Sequence, residues 1–493
     1  MNRRLFALSL LFSLLVGVYA ASAAPKPSAT GHTTYLPLVV RGGQLGNEPE
    51  PPPPPPPVTG ALLLGDKSYR SASMAVDGQG GMHAIFVRVA PFDTSGEPVP
   101  VYYAYCPPTD LAACAQRSAW RLTELEPQGY THAQLQFTPA GQPRLLLMGW
   151  VADPGGGLTN GHLYRYGECD TQCDTTSNWR FTTVLSSNSS GGLYETDYSY
   201  RNFALDHQGR PRFVYQDRAD RTDAQWKGAW YAYCDANCAN HSAEAPTWFI
   251  TRIDNPEAGY VLYLDEQTVL RFTSDGRPCV LAGSATVQYV ECNVDCNDGA
   301  NWSQAAELIA TGAGASVRSW SLALDGQGRP RATIYPRGGP LYYVWCNDAC
   351  TNSENWEGYE LAAGQGSGSY AALALDAQGR PRLVYTDGVA NLGYAWCDNA
   401  CERANHQWRF TQAEDSNVIL RELNVPILPE CVRGGWFSGK RPTLVLDAQG
   451  HPRIGYDAEF RMECKRFPDD PNSTLTFVET KWWTSRFAFF PQP

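Results

Sequence analysis

The chain has 493 residues with 39 Lys and Arg against 50 Asp and Glu, a net charge of -11 and a pI near 5.3. That balance, with no concentrated basic patch, excludes a nucleic-acid partner and an anionic membrane surface. The length exceeds a single core, so the chain calls for several domains or for a repeat in which each unit needs only its neighbours.

In chain order, Arg3 and Arg4 precede an apolar stretch ending near Ala20, and Ala21-Ser22-Ala23 fits a small-residue cleavage site. Residues 1–23 therefore read as a signal peptide, which implies a secreted protein, extracellular or at the cell surface. No later apolar run is long enough to span a bilayer, so no membrane insertion is expected. Residues 24–57 form a leader and a spacer. The segment Thr33 to Gly42, TTYLPLVVRG, is β-prone and reads either as a stray strand or as an attachment element. Seven consecutive prolines, Pro51 to Pro57, hold a stiff polyproline II spacer.

From residue 58 to 493 one unit recurs seven times, and its fullest copy runs from Ser369 to Trp408. Two β-rich runs, Ala372 to Asp376 and Arg382 to Tyr385, flank a turn of Asp376, Gly379 and Pro381. There the Asp side chain caps its own backbone and the glycine takes positive φ. A third strand is expected at Leu392 to Trp396, then Cys397, Cys401 and a fourth strand from Trp408. The turn glycines are Gly80, Gly141, Gly209, Gly276, Gly328, Gly379 and Gly450; the Asp becomes Thr138 and Thr273 in the second and fourth copies. Small two-faced sheets bury both faces when stacked radially, which predicts an all-β, seven-bladed β-propeller of four-stranded antiparallel blades. Nothing in the composition points to an oligomer, and a monomer is expected.

Most of the fifteen cysteines fall at one place in the repeat: Cys169 and Cys173, Cys234 and Cys238, Cys292 and Cys296, Cys346 and Cys350, Cys397 and Cys401, with a stretched pair at Cys106 and Cys114. In an exported chain these read as local disulfides clamping the turn between strands three and four. Paired thiols without a nearby histidine make a poor zinc site, so neither a metal nor a cofactor is expected. Cys431 and Cys464 break the pattern and are expected to pair with each other, which leaves Cys279 as a buried thiol. A tryptophan follows each short pair (Trp120, Trp179, Trp248, Trp302, Trp356, Trp408) and reads as a structural plug at the blade edge. After the turn proline comes Arg144, Arg212, Arg331, Arg382 or Arg453, expected to make exposed, weak ion pairs with the turn Asp.

The residues Asp376, Gly379, Pro381, Tyr385, Tyr394 and Cys397, with equivalents at Asp325, Gly328, Pro330, Tyr335, Tyr343 and Cys346, carry a resemblance. The pattern resembles the propeller repeats of secreted bacterial proteins described as sialidase-like or Asp-box-like. The Asp-to-Gly spacing is longer than in a true Asp box, and Pro replaces its Thr-Trp ending. The resemblance implies a propeller, and it raises sialidase-like glycoside hydrolysis as an alternative function. That activity needs an arginine clamp, a Tyr–Glu pair and an Asp acid. Arg70 and Arg318 share one register, with Arg201 close to it and Glu195 and Asp197 nearby.

The favoured expectation is a non-catalytic propeller that binds a glycan or an extracellular protein. The Asp–Gly turns and cysteine clamps fall on one rim of the disc and vary little. Variation gathers on the other rim, in Ala90 to Pro100, Ala152 to Gly161, Ser186 to Tyr198, Asp217 to Lys227 and Ala413 to Lys440. The candidate binding residues on that rim are Arg70, Arg201, Arg318, Trp320, Tyr198 and Tyr200. Closure of the ring is expected from Val58 to Leu64, joining the last blade. In that blade the expected strands are Thr443 to Asp447, Arg453 to Tyr456, Phe460 to Cys464 and Ser473 to Thr480, with WWTSRFAFF left over.

Overall fold

A computed structural model describes residues 62–63 and 69–489, apart from residues 89–99, 109–112, 126–129, 152–160, 189–198, 218–227, 243, 256–260, 284–285, 311–316, 338, 362–367, 389–390, 404, 424 and 468–474. The signal peptide, the leader with its Thr33 to Gly42 segment, Glu195, Asp197 and most of the four shorter variable segments lie outside the described residues.

The chain forms seven four-stranded antiparallel sheets. After β1 (Leu62–Leu63), blade one contains β2 to β5 (Tyr69–Val76, Met82–Arg88, Val101–Cys106, Arg121–Glu124), and blade two β6 to β9 (Tyr130–Phe137, Pro143–Val151, Gly161–Glu168, Arg180–Asn188). Blade three contains β10 to β13 (Phe203–Leu205, Pro211–Asp217, Gly228–Cys234, Trp248–Arg252), and blade four β14 to β17 (Val269–Phe272, Pro278–Gly283, Thr286–Glu291, Ala306–Ala310). Blade five contains β18 to β21 (Val317–Leu324, Pro330–Pro336, Tyr342–Cys346, Trp356–Glu360), and blade six β22 to β25 (Ala371–Leu375, Pro381–Thr386, Leu392–Cys397, Trp408–Glu414). A short helix α1 (Ser416–Glu422) leads to blade seven, made of β26 to β28 (Cys431–Leu446, Pro452–Lys465, Thr476–Phe489). The first strands of successive blades contact one another around a ring that β26 and β2 close, so this is a seven-bladed propeller.

The turn between strands one and two uses the Asp as read from sequence. Asp376 Oδ1 accepts from the backbone N–H of Gln378 and of Arg380, and Gly379 takes φ +76. In the altered copies Thr138 and Thr273 accept the equivalent bond through Oγ1, from Gln142 and Arg277. A hydroxyl thus replaces the carboxylate as the cap.

The arginine after the turn proline is not at the surface. Arg212, Arg331, Arg382 and Arg453 are all buried, which corrects the expectation of exposed pairs. Arg382 donates to Asp376 Oδ2 at 2.9 Å, to the carbonyl of Cys397 at 2.9 Å and to Asp398 at 2.8 Å. Arg212 and Arg331 tie the first turn to the disulfide loop of their own blades in the same way, and that bridging position shields them from water; Arg453, in blade seven, pairs with Asp447 at 2.6 Å. All six short cysteine pairs are disulfides. In five blades the following tryptophan donates from Nε1 to the carbonyl of the second cysteine, as Trp120 does to Cys114 at 2.8 Å. Trp408, one residue further on, reaches Tyr359 Oη instead, and that phenol donates to Cys401 O. The indoles also lock neighbouring blades. Trp179, Trp248, Trp302, Trp356 and Trp408 pack on Tyr103, Tyr166, Tyr231, Tyr289 and Tyr343 of the preceding blade, with ring centroids 5.2 to 5.4 Å apart.

Blade seven closes the ring as expected: Leu62 pairs with Phe487 and Leu63 with Arg486, so both ends of the described chain share one sheet. Its strands differ from the sequence reading. Phe460 to Cys464 continues β27 and is not a third strand; WWTSRFAFF belongs to β28, which is the third strand, and β1 is the fourth. The extra length of β26, β27 and β28 rises past the rim as a three-stranded tab. Ile419 of α1 packs there with Trp436, Phe460 and Met462, a small satellite core that lets the tab stand outside the disc. The predicted Cys431–Cys464 disulfide ties β26 to β27 at the end of the tab farthest from the disc, and Cys279 is the buried free thiol, pushed up to about 12 by burial.

Candidate ligand site at the axial mouth

The position six residues before each turn acid, or its Thr replacement, holds Ser71, His132, Tyr200, Gln267, Ser319, Tyr370 and Arg441. One residue earlier stand Glu266 and Lys440 on blades four and seven. These positions enter the inner strands from the rim opposite the Asp–Gly turns, so they ring the mouth of the axis.

Arg201 lies just inside that ring and is buried. It donates from Nη1 to the carbonyl of Ala371 at 2.6 Å, and from Nη2 to the carbonyl of Trp320 at 2.6 Å, to Tyr200 Oη at 3.0 Å and to Gln267 Oε1 at 3.2 Å. The side chain crosses the axis from blade three to blades five and six and plugs it. Trp320 is fully buried, with Nε1 donating to the carbonyl of Leu281 at 3.2 Å. Tyr200 is buried as well, its phenol pushed up to about 12 by burial. The structure therefore brings Arg201, Tyr200 and Trp320 together, but as interior groups. Arg70 and Arg318 lie on the inner strands β2 and β18, and Tyr198 lies outside the described residues.

Above the plug, blades four, six and seven contribute side chains. Lys440 forms an ion pair with Glu459 at 2.5 Å, and its ammonium lies 5.3 Å from the ring centroid of Tyr370 and 5.5 Å from that of Trp483. Arg441 lies over Trp483 at 5.0 Å, donates from Nη1 to Asp457 at 3.4 Å and faces Glu266 across the axis, Nε to Oε2, at 3.9 Å. Both of these basic residues come from the strand that enters blade seven from the tab. Burial brings Lys440 down to about 8 even though Glu459 works against the shift. Burial also opposes the charge on Arg441, yet Glu266 and Asp457 outweigh it and hold the guanidinium above its ordinary value. Asp457 is raised by burial; beyond Arg441 it accepts from the backbone N–H of Ser71 at 2.8 Å and of Ala72 at 3.2 Å. It thereby pins blade one to blade seven.

Sequence reasoning missed Lys440, Arg441, Glu266, Tyr370 and Trp483. A register signal was available for four of them: they occupy the same repeat positions as Arg70, Arg318 and Tyr200. Trp483 gives none, because the repeat pattern leaves its segment, WWTSRFAFF, unassigned. A second cluster has the residue types of a glycosidase: Tyr456 donates to Glu414, and Arg486 donates to the two Glu414 oxygens and to Glu422. Tyr456 and Arg486 are fully buried between blades, so this network holds blade six, helix α1 and blade seven together. Among the described residues, no three His, Cys, Asp or Glu side chains converge as a metal set, and no helix is long and apolar enough to cross a membrane.

No family model matches the chain, and no curated protein matches it. Solved structures resemble it in fold. A variant of the NanB sialidase from Streptococcus pneumoniae superposes with a TM-score of 0.38 at 10% identity, over 87% of this chain and 70% of the other. The BP39L lectin from Burkholderia pseudomallei gives 0.42 at 9% identity, over 79% and 96%. The intramolecular trans-sialidase from Ruminococcus gnavus gives 0.38 at 11% identity, over 89% and 99%. The superpositions are loose, and the seven-bladed fold stands on the strand pairing described above.

Proposed function

We propose that this chain is a secreted, non-catalytic propeller that binds a glycan through the rim bearing the axial mouth and the blade-seven tab. The observation that carries this reading is the meeting, at one mouth, of two aromatic rings, Tyr370 and Trp483, with Lys440, Arg441, Glu266 and Glu459. Aromatic faces with a few converging charged groups suit a polyhydroxylated ring, which stacks its C–H face and hydrogen-bonds its edge. The non-catalytic reading is supported by the use of Arg201 as a plug and by the burial of the Tyr456–Glu414 pair away from any surface.

A glycan array with the mature chain tests this reading, together with a fluorogenic sialoside assay. Retention of defined glycans, lost on Trp483→Ala, with no hydrolysis is the expected outcome. Turnover of the sialoside would favour the hydrolase instead. Blank arrays with capture of a single extracellular protein would transfer the rim to protein recognition.

A further inference from the structure

Arg441 and Glu266 sit on blades that are not neighbours, and the axial mouth opens between them. Arg441 is nine-tenths buried, yet among the described residues its Nε has no hydrogen-bond partner. The acceptor it faces, Glu266 Oε2, is 3.9 Å away, beyond hydrogen-bond reach. A buried donor held just short of an acceptor calls for a group that accepts from the one and donates to the other. A hydroxyl does both, whereas a carboxylate or phosphate oxygen only accepts and an ammonium only donates. At the usual contact of about 2.8 Å to each partner, such an oxygen sits roughly 2 Å off the line joining them. The Glu266 side chain is 36% exposed, so the gap is open to solvent on that side. An acid sugar is disfavoured by the same geometry, because its carboxylate would meet Glu266 head-on with no proton to share.

We infer that the axial mouth takes an uncharged, hydroxyl-rich ring, a neutral hexose unit of a glycan, with one hydroxyl inserted between Arg441 Nε and the Glu266 carboxylate. Tyr370 and Trp483 flank that hydroxyl's ring. This rests on the glycan-binding reading of the rim and narrows it to neutral sugars.

The test uses the whole mature chain, with saturation-transfer NMR and calorimetry against methyl glucoside, methyl galactoside, methyl mannoside and methyl sialoside. At least one neutral hexoside is expected to bind. Glu266→Ala should weaken that hexoside about 10-fold or more, the usual cost of a lost hydrogen bond to a charged group, in a chain that still folds because Asp457 continues to pair with Arg441. Glu266→Gln, which keeps an acceptor, should weaken it less. Glu266 is used for the variants because Arg441 also holds Asp457, and its removal would disturb the blade closure. Binding of methyl sialoside alone would overturn the inference while leaving the glycan-binding rim in place. Neutral binding that ignores Glu266→Ala would overturn it in the same way. If none of the four sugars binds, the inference fails; the glycan reading fails with it only if the array is also blank.

Discussion

Arg201 of blade three donates to the backbone carbonyl of Ala371 on blade six at 2.6 Å, across the axis of the disc. Propeller blades ordinarily touch only their neighbours, so this contact and the one to Trp320 O make Arg201 a cross-brace. Removing it strands the carbonyls of Ala371 and Trp320 in the interior, while Gln267 Oε1 keeps the Tyr200 hydroxyl as a donor. Arg201→Ala is therefore expected to destabilise by about 3 kcal/mol, in the range for breaking a buried charged network. Arg201→Lys, with fewer donors in a less rigid head, should recover only part. Differential scanning calorimetry checks both, and an alanine variant with an unchanged Tm would remove the brace from the account. The sequence places Arg201 only as a candidate binding residue at the rim, because position in the repeat does not reveal where a long side chain ends.

The arginine–aspartate pairs predict an acid limit to stability. Burial pushes Asp376 up, but the backbone N–H and guanidinium of Arg380 and the cation of Arg382 outweigh it and hold its carboxyl below the ordinary 3.8. Asp325 is lowered by the same arrangement with Arg329 and Arg331, again against the effect of burial. A depressed carboxylate contributes stability that is present above its unfolded value and lost as pH falls through its folded one. Tm should thus fall steeply below about pH 4. Asp376→Asn should flatten that slope while lowering Tm at neutral pH, because Arg382 then keeps its burial and loses its counter-charge. An unchanged acid slope in this variant would show that the pair does not govern the transition.

Much of the fold was legible because the turn chemistry and cysteine spacing repeat. Asp376, Gly379 and Cys397 each do one local job that sequence states directly, and both the short clamps and the Cys431–Cys464 pairing came from counting positions. Blade seven was misread because its strands are two to three times the usual length, so segments such as Phe460 to Cys464 looked like separate strands. The axial mouth was only half legible. Repeat register points to a row of positions, but that Arg441 of blade seven faces Glu266 of blade four depends on which blades lie opposite each other across the ring. Nothing along the chain encodes that distance.

The two disulfide types should respond differently to removal. In the loop-entropy model a four-residue separation, as in Cys397–Cys401, gives about 2 kcal/mol, while the 33-residue separation of Cys431–Cys464 gives about 4 kcal/mol. The longer bond also fastens the tab. Replacing Cys431 and Cys464 with serine should lower Tm more than removing any single short clamp. It should also raise hydrogen exchange selectively in residues 431–440 and 457–465. Equal losses from both kinds of variant, or exchange spread evenly over the disc, would contradict this division.

Lys440 supplies the last prediction. Its ammonium is buried against Glu459 and between Tyr370 and Trp483, and burial brings it from its ordinary 10.5 down to about 8. The folded state therefore gives up this proton earlier than the unfolded chain does. Between about pH 8 and pH 10.5 the unfolded chain holds one more proton at this residue, so its contribution to folding becomes more favourable as pH rises through that window. Lys440→Met removes the titration and leaves Glu459 paired with Arg461 at 2.7 Å. The difference in Tm between Lys440→Met and the parent should be largest in favour of the variant below pH 8, and should shrink steadily to a plateau by about pH 10.5. Glycan binding at the mouth should change over the same range, since the neutral amine no longer draws Glu459 toward itself. Parallel Tm curves for the two proteins from pH 6 to pH 11 would mean that Lys440 titrates at its ordinary value and does not couple to the fold.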